Sequence, residues 1–435
     1  MKQLRGFKFR FYPTSAQRLE LAQTFGCTRF VYNWALALRT NSYYQDNVSM
    51  SYTDTSNALT KLKKDPEKPW LKQVSAVPLQ QGLRHLNTAF INFFAGRNKY
   101  PRFKKKNSRQ SAHYAPNAFK WVDGSLGARS VGDGTSPGSH RKLTLAKMSQ
   151  PLKIRWSRHF TGQPKSVTIS KDSSNRYFVS FLVEEELDQW EKTEGKIGVD
   201  LGVKDVMVTS TGFASGNLKH YQKYQARLKT LQRRLAKKKK GSNNRYKARL
   251  KVAKLHAKIA DCRKDCLGAR SLASYADAGS HRFLHKLTTQ LVRENQAIYT
   301  ETLAVKNMMA NHKLAKAIAD CGWGEALRQF QYKCKWHDRE LGAIDRWFPS
   351  SKRCNPCGYI LGKLPLDIRE WTCPSCNFQN LRDKNAALNI LAVGQTVLRC
   401  DPASPKGALG SASRRACGSS SGGEATDLLS LAILG

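Results

Sequence analysis

The sequence predicts a multidomain α+β chain, and three observations carry that prediction. Apolar and polar residues alternate one by one at the beginning and again between about 150 and 185. Apolar residues recur every three or four positions from about 15 to 100 and from 219 to 260, and two Cys-x-x-Cys pairs lie close together after position 350. Alternation marks strands, a 3.6-residue period marks helices, and paired knuckles mark a small metal-bound module. With 435 residues and 40% hydrophobic content the chain can build several cores, roughly two to four at ordinary domain size.

Charge narrows the function. Lys and Arg number 74 against 32 Asp and Glu, a formal net charge of +42. Such an excess calls for a polyanion, and nucleic acid is the commonest because each phosphate contact releases condensed counterions. A membrane surface is the rival partner, but the basic helices carry aromatics without a broad apolar face. No stretch of about 18 apolar residues occurs and the start, MKQLRGFKFRFYPT, has no apolar signal core, so a soluble, cytoplasmic protein is expected. Of 11 cysteines, four cluster and the rest scatter, which fits a reducing compartment better than a disulfide framework.

Along the chain, residues 1–12 read as a strand, and from Ser15, taken as an N-cap, a helical period begins and continues through 56–64 and 79–94. The segment Asn98–Lys106 interleaves Arg102, Lys104 and Lys105 with aromatics, a composition that can hold phosphate and stack a base. Short alternating runs at 153–156, 166–169 and 177–183 indicate a small antiparallel β domain, closed into a barrel by the first strand. A repeat recurs: LGARS followed by GSHR at 126–141 and again at 267–282, read as inserted surface loops. Residues 219–260 contain no acid. Tyr221, Tyr224, Leu228, Leu231 and Leu235, then Tyr246, Leu250, Ala253 and Ala257, form one apolar stripe on a basic helical hairpin whose turn carries Lys237, Lys238, Lys239 and Lys240. From 396 the chain reads as a disordered tail.

The chemistry lies in the second half. Cys354-Asn-Pro-Cys357 and Cys373-Pro-Ser-Cys376 can place four thiolates around Zn²⁺, a closed structural site with no position left for water. Three acids are individually ordinary: Asp200 between glycines in a strand, Glu301 at the end of another, and Asp383 at a helix start with Ala387, Ile390 and Leu391 facing inward. Gathered at one end of a mixed sheet they would hold hard divalent cations through oxygen, the arrangement that activates water against a phosphodiester.

Five segments, IGVDLGVKD, TETLAVKNMM, DRWFPSSKRCNPCG, WTCPSC and RDKNAALNI, resemble in this order the successive motifs of the TnpB family, also called OrfB, transposon-encoded relatives of type V CRISPR effectors. The resemblance spans residues 1 to about 395. It implies a β-barrel wedge domain (1–12 plus 107–190) with an inserted helical recognition bundle (13–106). It further implies an RNase H-like RuvC nuclease domain (191–350 plus 379–395) with an inserted zinc ribbon (351–378). Asp200, Glu301 and Asp383 would bind two catalytic Mg²⁺ ions. The implied activity is cleavage of double-stranded DNA matched to a guide RNA from the transposon end, beside a short adjacent motif. In a prokaryotic cytoplasm such a protein would sit on the nucleoid when bound to DNA. Tyr52, Ser56 and Gln80 fall where the family reads the adjacent motif, while Ala76 and Val77 replace bulkier or basic residues. Asn380 and Leu381 stand where the family commonly has His and another acid, and the two repeat copies are insertions relative to it. Two alternatives stay open: an RNA-guided DNA-binding protein without cleavage, and a DNA-binding transposition accessory protein.

Overall fold

The computed structural model describes residues 2–122, 141–217, 220–265, 283–312 and 314–400. The first repeat copy up to residue 140, the second copy and the tail from 401 lie outside the described residues.

Strand β1 (Lys2–Phe11) is followed by helices α1 (Ser15–Asp46), α2 (Tyr52–Leu62), α3 (Trp70–Gln73) and α4 (Ala76–Phe94). Strands β2 (Gln110–Tyr114), β3 (Phe119–Val122), β4 (Lys142–Leu145), β5 (Ile154–Arg155), β6 (Pro164–Lys171) and β7 (Tyr177–Glu186) come next. The alternation of β1 buries Phe7, Phe9 and Phe11 and turns Lys2, Lys8 and Arg10 to the other side, while Arg5, on the phenylalanine side, pairs with Glu185. β1 pairs antiparallel with β7, Phe7 opposite Phe181 and Phe9 opposite Val179, inside a five-stranded sheet ordered β2-β6-β7-β1-β5. The hairpin β3–β4 lays Trp121, Leu143 and Leu145 on the same core. Each fully buried Phe in that core is worth about 1.5–3 kcal/mol. The expected closed barrel is not formed: among the described residues no ladder joins β2 to β5, and the hairpin covers the sheet face instead. β5 has only two residues and pairs only with the far end of β1, too little strand to close the circuit.

The helices are set by caps and a shared stripe. Thr14, not Ser15, caps α1: its hydroxyl accepts from Gln17 N while Gln17 Oε1 accepts from Thr14 N, a reciprocal capping box. The signal at Ser15 was one residue late because Gln17 sits three places after Thr14. Ser51 and Asp54 repeat the device on α2. Val31, Leu36, Leu79, Leu83 and Leu86 fill the bundle core.

The second half adds β8 (Lys196–Asp200), β9 (Val208–Thr209), α5 (His220–Ala236), α6 (Asn243–Asp265) and α7 (Phe283–Glu294). β10 (Ala297–Glu301), α8 (Val305–Met308), α9 (Ala315–Cys321), α10 (Trp323–Trp336) and β11 (Glu340–Ile344) follow, then β12 (Glu370–Thr372), β13 (Gln379–Leu381) and α11 (Arg382–Cys400). β8, β10 and β11 run parallel in the order β11-β10-β8-β9, with β9 antiparallel at the edge. Helices cover both faces, so β8 and β10 are buried nearly throughout, as parallel strands must be. Ile197, Val199 and Ile298 face α7 and α10, whereas Ala297, Tyr299 and Ile344 face α11. Helix α11 continues to Cys400, past position 396 where the tail was expected to begin.

The basic hairpin α5–α6 forms as expected, with one difference. Tyr221, Tyr224, Leu228, Leu231 and Leu235 of α5 pack inward, but their partners on α6 are Val252, Leu255 and Ile259. Tyr246, expected in that stripe, is 50% exposed. Alanine spacing suggested one helix face; the larger aliphatics, which have more area to remove from water, chose another.

Candidate active site and metal centres

Two-residue periodicity brings the acids together. On β8 Asp200 shares the side of Gly198, and on β10 Glu301 shares the side of Ala297 and Tyr299, which is the α11 side. The parallel register sets Thr300 opposite Val199, so Glu301 and Asp200 are neighbours at the carboxyl ends of adjacent strands. Asp383, in the first turn of α11, arrives over them. Gly198 is what permits this approach: a Cβ there would lie 2.1 Å from Ala387 O and 2.8 Å from Leu391 N. Gly394 does the same higher on the helix, where a Cβ would lie 2.3 Å from the Tyr299 ring.

The charges of the other two side chains are felt at Asp200. Burial, then the neighbouring carboxylates of Glu301 and Asp383, push Asp200 up to about 8, against the opposing pull of Leu201 N–H and Arg382. Burial likewise raises Glu301, whose Oε1 accepts a short hydrogen bond from Ser350 Oγ. Arg369 Nη1 reaches both oxygens of Asp383, at 3.2 and 3.4 Å. A half-buried, oxygen-only set whose members repel one another fits a hard divalent cation, which would relieve that repulsion.

The second centre is sulfur. The Sγ atoms of Cys354, Cys357, Cys373 and Cys376 all lie within 4.8 Å of one another, with Cys354–Cys376 at 3.6 Å and Cys357–Cys373 at 3.5 Å. Tetrahedral Zn²⁺ with bonds of about 2.3 Å needs sulfur separations of about 3.8 Å, so the four residues fit zinc. Tyr359 N–H and the neighbouring thiols pull the Cys357 thiol down to about 7 while the same neighbours push Cys376 up to about 12, so without a metal the thiols compete for charge among themselves. Asn380, standing where a His was expected by resemblance, donates from Nδ2 to Cys354 Sγ at 3.5 Å.

Residues 1–47 match a family profile described as a helix-turn-helix domain, residues 178–275 one described as a probable transposase, and residues 323–390 the TNB domain of Cas12f1-like proteins. A Streptomyces pristinaespiralis protein provisionally named an RNA-guided DNA endonuclease is 48% identical over 399 residues, 91% of this chain and 90% of its own. InsQ of Escherichia coli K12, under the same provisional name, is 31% identical over 416 residues, 92% of this chain and 94% of its own. The chain belongs to the TnpB family. Its fold is shared with Cas12f1, solved in complex with single guide RNA and target DNA, at a TM-score of 0.51 and 12% identity over 89% of this chain and 98% of that one. In this TnpB protein the segment matched as helix-turn-helix is one strand and a single 32-residue helix.

The remaining sequence candidates are scattered over the TnpB surface. Tyr52 and Ser56 are half-buried on α2, where the Tyr52 hydroxyl accepts from Arg84 Nε at 3.3 Å, and Gln80 is exposed on α4. Val77 packs against the core of the first sheet, which accounts for an apolar residue there. Arg102 and Lys105 are exposed, whereas Lys104 Nζ rests 3.8 Å from the Tyr32 ring centroid and its backbone is held by the Asn33 amide at 2.8 and 3.0 Å. Lys237–Lys240 are exposed in the α5–α6 turn, where Arg245 Nη1 donates to Leu235 O at 3.1 Å and Lys238 O at 2.7 Å.

Sequence reasoning missed Ser350, Arg369, Asn385 and Asn389. The two asparagines left a trace: one helical turn apart, they interrupt an otherwise apolar helix face. Ser350 and Arg369 left none, since their partners are distant in sequence.

Proposed function

We infer that this chain is a transposon-associated RNA-guided DNA endonuclease, and that Asp200, Glu301 and Asp383 are its catalytic carboxylates. The observation that carries the reading is the meeting of three carboxylates on one face, at the carboxyl ends of two parallel strands and the start of the helix crossing them. The parallel sheet, crossing helix and acids fit a RuvC-type, RNase H-like nuclease domain, and the first sheet with α1–α4 fits the wedge domain and recognition bundle. Two Mg²⁺ ions held by these acids would supply an activated water and stabilisation of the leaving 3′ oxygen. The chain's own contribution is to fix carboxylate oxygens, those of Glu301 through Ser350 and those of Asp383 through Arg369. Arg369 adds a guanidinium at the edge of the site, where phosphate charge would collect. The cysteine cluster holds structural Zn²⁺ and leaves no open ligand position.

Guide pairing reads the target sequence in this scheme, so the protein needs positive surface more than base-reading side chains; the exposed lysines of the α5–α6 turn and Arg102 and Lys105 suit that task. The guide would come from RNA of the transposon end and the target would be double-stranded DNA beside a short adjacent motif. The test co-expresses the chain with its flanking RNA and challenges the complex, with Mg²⁺, against a plasmid library bearing the matched target beside randomised bases. Loss of a subset of plasmids that disappears in Asp200→Ala establishes the activity and reveals the motif. Target binding without cutting in the unsubstituted chain would instead establish a guided binder.

A further inference from the structure

Between β11 and the first cysteine knuckle the chain runs through Ser350, and there a run of hydrogen bonds links the cysteine cluster to the carboxylate end of the sheet. Asn385 and Asn389, each 3% exposed, project from α11 one turn apart and two and six residues beyond Asp383. Asn389 Nδ2 donates to Ser350 O at 2.8 Å and to Arg353 O at 2.7 Å. Asn385 Nδ2 donates to the same Arg353 O at 2.7 Å and more weakly to Ser350 O at 3.4 Å. In return Asn355, between Cys354 and Cys357, donates its backbone N–H to Asn385 Oδ1 at 3.0 Å and its Nδ2 to Asn389 Oδ1 at 3.1 Å. Both ends of both amides are therefore committed to the knuckle, and cutting out Asn389 leaves Ser350 O with only the 3.4 Å bond from Asn385 and Asn355 Nδ2 without its Oδ1 partner. The clamped Ser350 is 5% exposed, and its hydroxyl is the group bonded to Glu301 Oε1.

We propose that Ser350 is a positioning residue for Glu301, and that Asn385 and Asn389 hold it there, so that the first zinc knuckle sets the geometry of the carboxylate site. With Oε1 committed to Ser350, the rotation of the Glu301 carboxylate is fixed and Oε2 is the oxygen left to face a cation. Asp383 rides on the helix that carries the clamp. Two of the three carboxylates thus take their placement from one rigid unit of knuckle and helix, while Asp200 takes its own from the sheet. A ligand held by such an outer hydrogen bond typically loses ten- to a hundred-fold in metal affinity when that bond is removed. The inference rests on the carboxylate-site reading above.

The experiment measures Mn²⁺ binding to the full chain loaded with its guide RNA, by loss of the free-ion EPR signal, so no cleavage is needed. Zinc content and melting temperature are followed in parallel. Ser350→Ala is expected to weaken Mn²⁺ binding about tenfold or more with zinc content unchanged, and Ser350→Thr to restore it. Asn389→Ala should weaken binding in the same direction, and the double variant Ser350→Ala/Asn389→Ala should lose little beyond the worse single, because both act on one arrangement. Unaltered Mn²⁺ affinity in Ser350→Ala, or losses that multiply in the double variant, would overturn the proposal. The control separates the two readings: if Asp200→Ala abolishes Mn²⁺ binding and Ser350→Ala leaves it intact, only Ser350's role fails. If Asp200→Ala itself binds normally, the carboxylate site fails as well.

Discussion

The carboxylate end of the second sheet and the α5–α6 hairpin use charge in opposite ways. At the first, three half-buried acids are brought to one end of the sheet and held by named partners: Ser350 on Glu301, Arg369 on Asp383, Leu201 N–H on Asp200. At the second, lysines crowd an exposed turn, and only the apolar stripe beneath them is fixed by packing. The difference teaches where a single atom matters. Coordination chemistry depends on oxygen positions to a fraction of an ångström, whereas attraction of a polyanion depends on summed charge and tolerates movement.

The largest effect belongs to the carboxylates. Asp200→Ala should reduce guided cleavage by about a thousandfold or more while leaving guide-RNA affinity unchanged, measured by plasmid nicking and filter binding on one preparation. Cutting that survives would place the chemistry elsewhere. Next comes the zinc cluster: Cys373→Ser should lose zinc, measured by atomic emission, and lower protein yield and melting temperature together. Wild-type zinc content in that variant would remove the ribbon assignment. Gly198→Ala forces a Cβ to within 2.1 Å of Ala387 O, so α11 must move. It is expected to cost about 3 kcal/mol in denaturant unfolding, and cleavage with it, because Asp383 moves too.

On the other side of the comparison the effects are smaller and additive. Replacing Lys237, Lys238, Lys239 and Lys240 together by Ala should weaken guide-RNA binding and flatten its salt dependence, by about 0.7–0.9 in log–log slope for each lysine on a phosphate. Each single replacement should cost only a few-fold, and a tenfold loss from one of them would show that the turn makes a fixed contact after all. The mildest test concerns Lys333, 5% exposed, whose Nζ donates at 2.7 Å to His285 O, Thr288 Oγ1 and Thr289 Oγ1. Burial pushes its amine down to about 7. The unfolded chain keeps that proton up to about 10.4, so between these values the unfolded state binds more protons and stability should rise with pH. Lys333→Met should flatten that portion of the stability curve.

What the sequence revealed and what it hid divide along the same line. The strands of Asp200 and Glu301, the start of α11 and the four cysteines were legible because local pattern decides them: alternation, an acid at a helix start, and knuckle spacing. The capping residue Thr14 was displaced by one position because a cap depends on a reciprocal bond to Gln17 as well as on residue type. The inward face of α6 was misread because small and large apolar residues both recur at helical spacing, and only the packed partner α5 chooses between them. Barrel closure failed on the length of β5, which alternation alone does not measure. Ser350 and Arg369 were invisible, and Asn385 and Asn389 left only a break in an apolar helix face, for a different reason: each acts on a residue brought near only by the completed fold.

Helix α11 comes after every other described element in chain order, yet it brings the third carboxylate. On a ribosome, Asp200 and Glu301 emerge first and wait for Asp383, roughly 10–40 s behind Asp200 at 5–20 residues per second. During that interval the basic α5–α6 hairpin has been made while the proposed cutting centre lacks its third acid. On the proposed function, the order of synthesis puts the basic hairpin ahead of the acid that completes the carboxylate set.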